Sequence, residues 1–379
     1  MYIKTTCNSV RIESCRFVTE GGIAEYHAVL HVTKTDDTFE QQIEAIQNGL
    51  SNFLCTCEES VQPVFKRYFL SDAANQAHIV RKNEKRQPPC AVSIVQQAPL
   101  DGSKIALWAY LKSEANIEIL HRQVVDTHNG YRHIWVAEWN YPGANSYEQT
   151  KALFQSYAAD LEEEGCTLKN DCIRTWIFVQ NIDVNYAGVV EARKEIFRQH
   201  GLTEKTHYIT STGIEGWHDN PEILVIFDAY AVKGLQEEQL KFLHALACLS
   251  STFEYGVTFE RGIKVEYGDR YHVFLAGTAS INHKGEIVRP GDVIGQTDRM
   301  LENIEALLAE SGTGFDDVAQ MIVYLRNVSD YPVVNAIFEK RFPRIPKLIT
   351  LAPVCRPGWL VETECIAIIK NSNPKFKAL

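Results

Sequence analysis

Leu351-Ala352-Pro353-Val354-Cys355-Arg356-Pro357-Gly358-Trp359-Leu360-Val361-Glu362-Thr363-Glu364-Cys365-Ile366-Ala367-Ile368-Ile369 is a hydrophobic run carrying groups that a buried strand ordinarily avoids. Pro357-Gly358 supplies a turn, and the β-rich segment from Val361 to Ile369 reads as a strand. Glu362 and Glu364 are two residues apart, so both carboxylates fall on one face of it. One carboxylate on a sheet face is ordinary. Two beside a thiol and a guanidinium mark a candidate site.

Outward from this strand, the chain repeats itself, and a repeat decides the fold. Three segments begin alike: Glu25-Tyr26-His27-Ala28-Val29-Leu30-His31-Val32, Tyr131-Arg132-His133-Ile134-Trp135-Val136-Ala137 and Arg270-Tyr271-His272-Val273-Phe274-Leu275-Ala276. Each leads to a helix opening around a glutamine: Gln41, Gln149 and Gln296. Apolar stripes at helical spacing follow, with Ile46, Gly49, Leu50 and Phe53 in the first, Leu153, Tyr157 and Leu161 in the second, and Met300, Ile304, Leu307 and Leu308 in the third. A second strand, a second helix and a last strand complete each copy. The second helix is expected near Val189–His200 and Val333–Phe342; its counterpart, Ala73 to Lys82, reads as polar and poorly defined. The last strands are Ile105–Tyr110, Ile223–Ala229 and Val361–Ile369. The expected units are 1–115, 116–235 and 236–379. Helices on one face of a mixed sheet leave the other face bare, and three such faces can bury one another around an axis.

The chain has 379 residues, too many for one ordinary core, which agrees with several units. The net charge of −10 argues against a nucleic-acid binder. It leaves room for a small anionic ligand, for which a few local cations suffice. The N-terminus lacks the apolar core of a signal peptide, and no run reaches transmembrane length. The expectation is therefore a cytoplasmic protein with no membrane partner, whose ten cysteines are unpaired thiols. Cys55-Thr56-Cys57 is the only close pair and lacks a second pair or histidine at zinc spacing, so no metal is expected. With no phosphate-binding Gly-rich loop, His-Glu-x-x-His or Gly-x-Ser-x-Gly, no cofactor is expected either.

The third unit resembles the Rid/YjgF reactive-intermediate deaminase superfamily. The matching residues are Phe274-Leu275-Ala276-Gly277-Thr278-Ala279-Ser280, Gly285, Gly291-Asp292, Gln296, Asn303-Ile304, Leu307-Leu308 and Val361-Glu362-Thr363-Glu364-Cys365-Ile366-Ala367. The resemblance implies an α+β fold: three tandem chorismate-mutase-like, YjgF-like units, each a mixed sheet with two helices on one face, packed as an intramolecular pseudo-trimer. It implies sites in the clefts between units and a chain that can be monomeric. The deaminases carry an arginine fifteen residues before the first glutamate of the final motif, where this chain has Lys347. Lysine keeps the charge but loses the two-pronged grip on a carboxylate.

The chain is more similar to the chorismatase subgroup. Cys355-Arg356 followed by Glu362 matches its signature, together with Arg174-Thr175-Trp176, Tyr186, Arg193, Thr206–Gly216 and Gly277-Thr278-Ala279-Ser280. The first unit contributes little to the resemblance. It implies cleavage of the enolpyruvyl ether of chorismate to pyruvate and a hydroxybenzoate. Glu362 would be the acid, kept protonated by an apolar site, and Cys355 would assist the ring rearrangement. Candidate binding residues are Arg174, Arg356, Tyr208, Ser211, Thr212, Gly213, Gly277, Thr278 and Lys347. Structural alternatives stand beside these: an ion pair for Arg174, a partner such as Arg356 or Lys347 for Glu362, a plain turn for Ser211–Gly213, a small buried hydrophobe for Cys355. His207 and His272 are read as structural. A Rid-type enamine or imine deaminase and a non-catalytic metabolite-binding protein are the other two readings.

Overall fold

The structure is a computed structural model that describes residues 1–7, 9–250 and 256–379. The first sheet is built from β1 (Tyr2–Cys7), β2 (Val10–Val18), β3 (Ala24–Val32), β4 (Val61–Leu70), β5 (Ala91–Gln96) and β6 (Ile105–Ser113), with α1 (Phe39–Thr56) after β3 and α2 (Ala73–Glu84) after β4. The second has β7 (Ile117–Leu120), β8 (Gln123–His128), β9 (Tyr131–Trp139), β10 (Cys172–Val179), β11 (Thr210–Glu215) and β12 (Val225–Lys233), with α3 (Ser146–Glu163), α4 (Leu168–Asp171) and α5 (Ile182–Gln199). The third has β13 (Leu240–Leu243), β14 (Gly262–Glu266), β15 (Arg270–Ala279), β16 (Val318–Leu325), β17 (Lys347–Leu351) and β18 (Val361–Lys370), with α6 (Val293–Ser311) and α7 (Tyr331–Arg341). Strand order is β1-β2-β3-β6-β4-β5, and the other two sheets repeat it strand for strand. Among the described residues, the only parallel strand pair in each sheet is β4–β5 or its counterpart, β10–β11 or β16–β17.

The long helices start and face as their sequences dictate. Thr38 closes a capping box with Gln41, Asn145 accepts from the Glu148 amide, and Asp292 accepts from the Gly295 amide. Their apolar stripes are buried against their own sheets. The glutamine near each helix start has one task. Gln149 Oε1 accepts from Leu224 N, and Gln296 Oε1 accepts from Leu360 N, so each helix fixes the entry of its unit's last strand. In the first unit that residue is Gln42, bonded to Lys104 N, rather than Gln41.

Three further sequence expectations need correction. The segment from Ala73 is a regular helix whose buried face is narrow because it uses Ala73, Gln76, Ala77 and Val80. Ser211-Thr212-Gly213 lie in strand β11, parallel to β10, rather than in a turn. The repeat alignment of the first unit shifts by two residues. Bulges on β4, β10 and β16 place Phe65, Arg174 and Gln320 opposite Tyr110, Tyr230 and Ile366, so His27 corresponds to Trp135 and Phe274.

The three bare sheet faces pack cyclically: β5 on β9, β11 on β15, and β16 on β2 and β3. Single bridges repeat the cycle, Gln96 with Trp217, Ile214 with Val354, and Thr350 with Pro99. Such head-to-tail contacts close into a ring when the rotation allows it, here within one chain. Aromatic rings fill the centre, with Phe65 against Trp135 at 5.0 Å and Tyr230 against Phe274 at 5.7 Å between centroids. Among the described residues no helix is long and apolar enough to cross a membrane.

Candidate active site

Three interfaces make three clefts, and their contents differ. Between the first and second units, Glu138 occupies the bulge of β9 that Gly277 occupies on β15. Its carboxylate and that of Asp219 are both held by Arg81 from α2, bidentate to Asp219 at 2.7 and 2.8 Å. His218 lies beside them, 2.9 Å from Asp219. Glu138, His218 and Asp219 have the make-up of a metal site, but the guanidinium already sits among them. Between the third and first units, His31 pairs with Asp101 and Lys347 pairs with Glu339. Ion pairs thus line two of the clefts, and the one between the third and first units keeps about 290 Å³ of space.

The cleft between the second and third units is open, with about 510 Å³ of space. Glu362 lies on its floor, 5% exposed, on β18. Among the described residues nothing hydrogen-bonds its carboxyl. Burial raises its pKa to about 8, the charge of Glu364 adds to the rise, and Arg174 and Arg261 oppose it. A carboxyl in this state is a proton donor at neutral pH. Gly277 makes room for it: a Cβ there would stand 2.0 Å from Glu362 Oε1 and 2.7 Å from its Cδ.

The Cys355-Arg356 loop forms one wall. It is tied down by Glu215 N to Pro353 O at 3.1 Å, by Gln296 Nε2 to Gly358 O at 2.9 Å and by Trp359 Nε1 to Ser280 O at 3.1 Å. The Cys355 thiol is partly exposed. Burial and the Glu362 carboxylate push its pKa up to about 12, against the opposing effects of Arg356, a hydrogen bond with Tyr186, and Arg193. It stays a neutral thiol, not a nucleophilic thiolate. Arg356 and Arg261 bring positive charge to the lining, while Val257, Phe259, Ala279, Ile281 and Trp359 make it apolar.

Of the residues singled out by sequence, Glu362, Cys355, Arg356, Ser211, Gly213 and Gly277 meet in this cleft. Tyr186 and Ala279, which are among the residues that carry the resemblance, line it too, whereas the remaining candidate binding residues do not. Arg174 donates to Glu364 Oε2 at 2.8 Å and also to Thr212, a buried pair across the two units. Trp176 Nε1 and Thr212 Oγ1 complete the cradle of Glu364 at 2.8 and 2.6 Å. Asp228 stands at the same register position in the second sheet and is held by Arg67 of the first. An Arg–carboxylate pair at each of these interfaces gives Arg174 a structural partner through Nη2, while its Nη1 is buried without a hydrogen-bond partner among the described residues. Thr278 turns back on Ala276 O, and Tyr208 packs on Phe197 with its amide bonded to Glu260. Lys347 lies in the cleft between the third and first units, because Lys347 and Ser211 share a register position on β17 and β11. The residue of that kind facing Glu362 is therefore Ser211.

Two cations fell outside the sequence-based site. Arg193 is buried on α5, with Nε donating to Thr258 Oγ1 at 3.0 Å and Nη1 to Ser211 Oγ at 3.4 Å. It is among the residues that carry the chorismatase resemblance, and its position in the stripe Val189, Ala192, Ile196, Phe197 was a second signal, since a guanidinium on a buried helix face needs a reason. Arg261 had no such signal.

Residues 263–369 match the family described as endoribonuclease L-PSP. A RutC family protein of Pyrococcus abyssi is 36% identical over 98 residues, which is 25% of this chain and 76% of that protein. The 3-aminoacrylate deaminase RutC of Acinetobacter baylyi is 28% identical over 97 residues, 25% of this chain and 77% of that enzyme. Among solved structures, a chorismatase crystal structure aligns with a TM-score of 0.64 at 17% identity, covering 80% of this chain and 92% of that one. That likeness extends the three-unit fold beyond the matched domain. The 36% identity to a RutC family protein over 76% of its length, with the matched domain, shows that the chain belongs to the Rid/YjgF, RutC-type family.

Proposed function

We propose that the chain is a chorismatase-like enzyme that cleaves the enolpyruvyl ether of chorismate to pyruvate and a hydroxybenzoate. The observation that carries this reading is the protonated Glu362 carboxyl on the floor of a cleft that also presents Arg261 and Arg356. Glu362 protonates the enol methylene, the adjacent carbon takes on oxocarbenium character, and the bond between the ring carbon and the ether oxygen breaks, so that the oxygen leaves with the three-carbon fragment as the keto oxygen of pyruvate. The ring, left as a cation, becomes aromatic by losing one proton, which replaces the proton Glu362 gave up, so the two products together have the composition of the substrate. The neutral Cys355 thiol stands beside the ring and directs that rearrangement. Cations hold the two carboxylates, and the apolar wall accepts the ring.

Purified protein incubated with chorismate is expected to form pyruvate and a hydroxybenzoate. Glu362→Gln abolishes both, while Cys355→Ala changes the product and leaves turnover. No pyruvate above background, or full turnover in Glu362→Gln, refutes the reading. The similarity to a 3-aminoacrylate deaminase favours a second reading, hydrolysis of a small enamine or imine acid, for which ammonia release is the assay. Ser211, where a carboxylate-gripping arginine would face Glu362, counts against it.

A further inference from the structure

Between Leu275 and Thr278 the ladder from β15 to β18 shifts register, and Ala276 and Gly277 form a bulge. A bulge frees amides from the ladder, and a buried amide has to find another partner. Ala276 N donates to Arg261 O at 2.8 Å. Gly277 N donates at 2.9 Å to Thr212 Oγ1, which belongs to β11 of the neighbouring unit. The same hydroxyl donates to Glu364 Oε2 at 2.6 Å and accepts from Arg174 Nη2. A hydroxyl has one proton and two lone pairs, so Thr212 is fully engaged and has nothing left for a ligand. It ties together two groups that shape the acid. Gly277 leaves Glu362 its room, and the charge of Glu364 adds to the rise in the Glu362 pKa.

The other interfaces lack this arrangement. Ser93 on β5, Thr212 on β11 and Leu348 on β17 share a register position. Between the first and second units the bulge amide, Glu138 N, donates straight to Asp228 Oδ1 at 2.8 Å. The buried Ser93 hydroxyl there has no hydrogen-bond partner among the described residues. Between the third and first units Leu348 has no hydroxyl to offer. At the open cleft a hydroxyl is set between the bulge and the carboxylate.

We infer that Thr212 is a positioning residue for Glu362: through its hydroxyl the second unit holds the β15 bulge and the Glu364 carboxylate where they leave the acid its place on the cleft floor. This rests on reading Glu362 as the proton donor of the site. Thr212 does not line the cleft, and it acts through its two neighbours.

Thr212→Val keeps the shape and removes the hydroxyl, whereas Thr212→Ser keeps the hydroxyl. With chorismate as substrate, Thr212→Val is expected to lower kcat about 10- to 100-fold with KM little changed, the scale of loss when a reacting group is slightly misplaced. Thr212→Ser restores turnover. Urea denaturation of Thr212→Val and of Thr212→Val/Glu362→Gln at pH 5, 7 and 9 reads the acid without substrate. The pH-dependent swing between those two is expected to be smaller than the swing between the unaltered protein and Glu362→Gln. A loosened floor admits water and lets the carboxyl ionise at lower pH, so the folded state gives up its extra proton earlier. Ser93→Ala, at the equivalent position, changes neither readout. Thr212→Cys, whose thiol fills the same space and hydrogen-bonds weakly, decides the matter if the valine variant does not fold. Unchanged kcat with an unchanged swing, a rise in KM alone, a loss that serine does not restore, or an equal effect of Ser93→Ala overturns the inference. A smaller swing in a protein that makes no pyruvate supports the positioning and refutes only the proposed reaction. Pyruvate formation with kcat and swing both unchanged in Thr212→Val refutes only the role of Thr212.

Discussion

Replacing Glu362 by glutamine tests the floor of the cleft without reference to any substrate. In the unfolded chain this carboxyl ionises near 4.5, and in the folded protein it holds its proton to about 8. Between those values the native state binds a proton that the unfolded state has released, so stability falls as pH rises through that window. The contribution is fully present below 4.5 and lost above 8. At about 1.4 kcal/mol per pH unit the gap amounts to about 5 kcal/mol. Glutamine has the same shape and no titration. The stability difference between Glu362→Gln and the unaltered protein should therefore swing towards the variant by several kcal/mol between pH 5 and pH 9. Other titrating groups act on both proteins and largely cancel. Urea denaturation of both at pH 5, 7 and 9 measures it. Parallel stability curves across that range would mean that Glu362 is ionised in the folded state, and its role as proton donor would fall with them.

Two substitutions separate the other assignments. Gly277→Ala places a methyl against Glu362 Oε1 and should destabilise the protein by about 1–3 kcal/mol while lowering turnover at least as strongly as it lowers stability; unchanged turnover would show that the carboxyl does not stand where the cleft needs it. Arg174→Gln removes the nearer cation of buried Glu364 and leaves it only Arg67 at 3.8 Å, which should cost up to about 3–5 kcal/mol in denaturation at neutral pH; a stable variant that merely binds ligand weakly would assign Arg174 to the substrate.

Much of the fold was legible because the chain states it three times. The helices follow from apolar stripes and caps, and the last strand of the third unit follows from its hydrophobic run. The edge strands β5, β11 and β17 were hidden for a physical reason. Thr210–Glu215 is short, polar and contains glycine, so by itself it has the composition of a turn. What makes it a strand is the ladder to β10 on one side and cover from the neighbouring unit on the other. Helix α2 was obscured similarly, since its exposed face carries charge and Arg81 reaches across to Asp219 of another unit.

The lining of the candidate cleft was legible only where it stays within one strand and one loop. Glu362, Cys355 and Arg356 belong to that set. Arg174 looked like a ligand because an arginine on an apolar strand lacks any visible partner, and its partner is 190 residues away on the next unit. Lys347 was misplaced by the same geometry. In a ring of units closed head to tail, the parallel edge strand of one unit lines the cleft whose floor is the last strand of the next. A spacing measured within one unit therefore links residues of two different clefts. Lys347 and Glu362 are such a pair, and the residue facing Glu362 must be sought one unit earlier, where Ser211 stands. In a homotrimer that offset is invisible, because every unit carries the same residue. Once the units diverge within one chain, each cleft acquires its own pairing. Two carry ion pairs in their linings, and the third has kept a buried carboxyl facing open space.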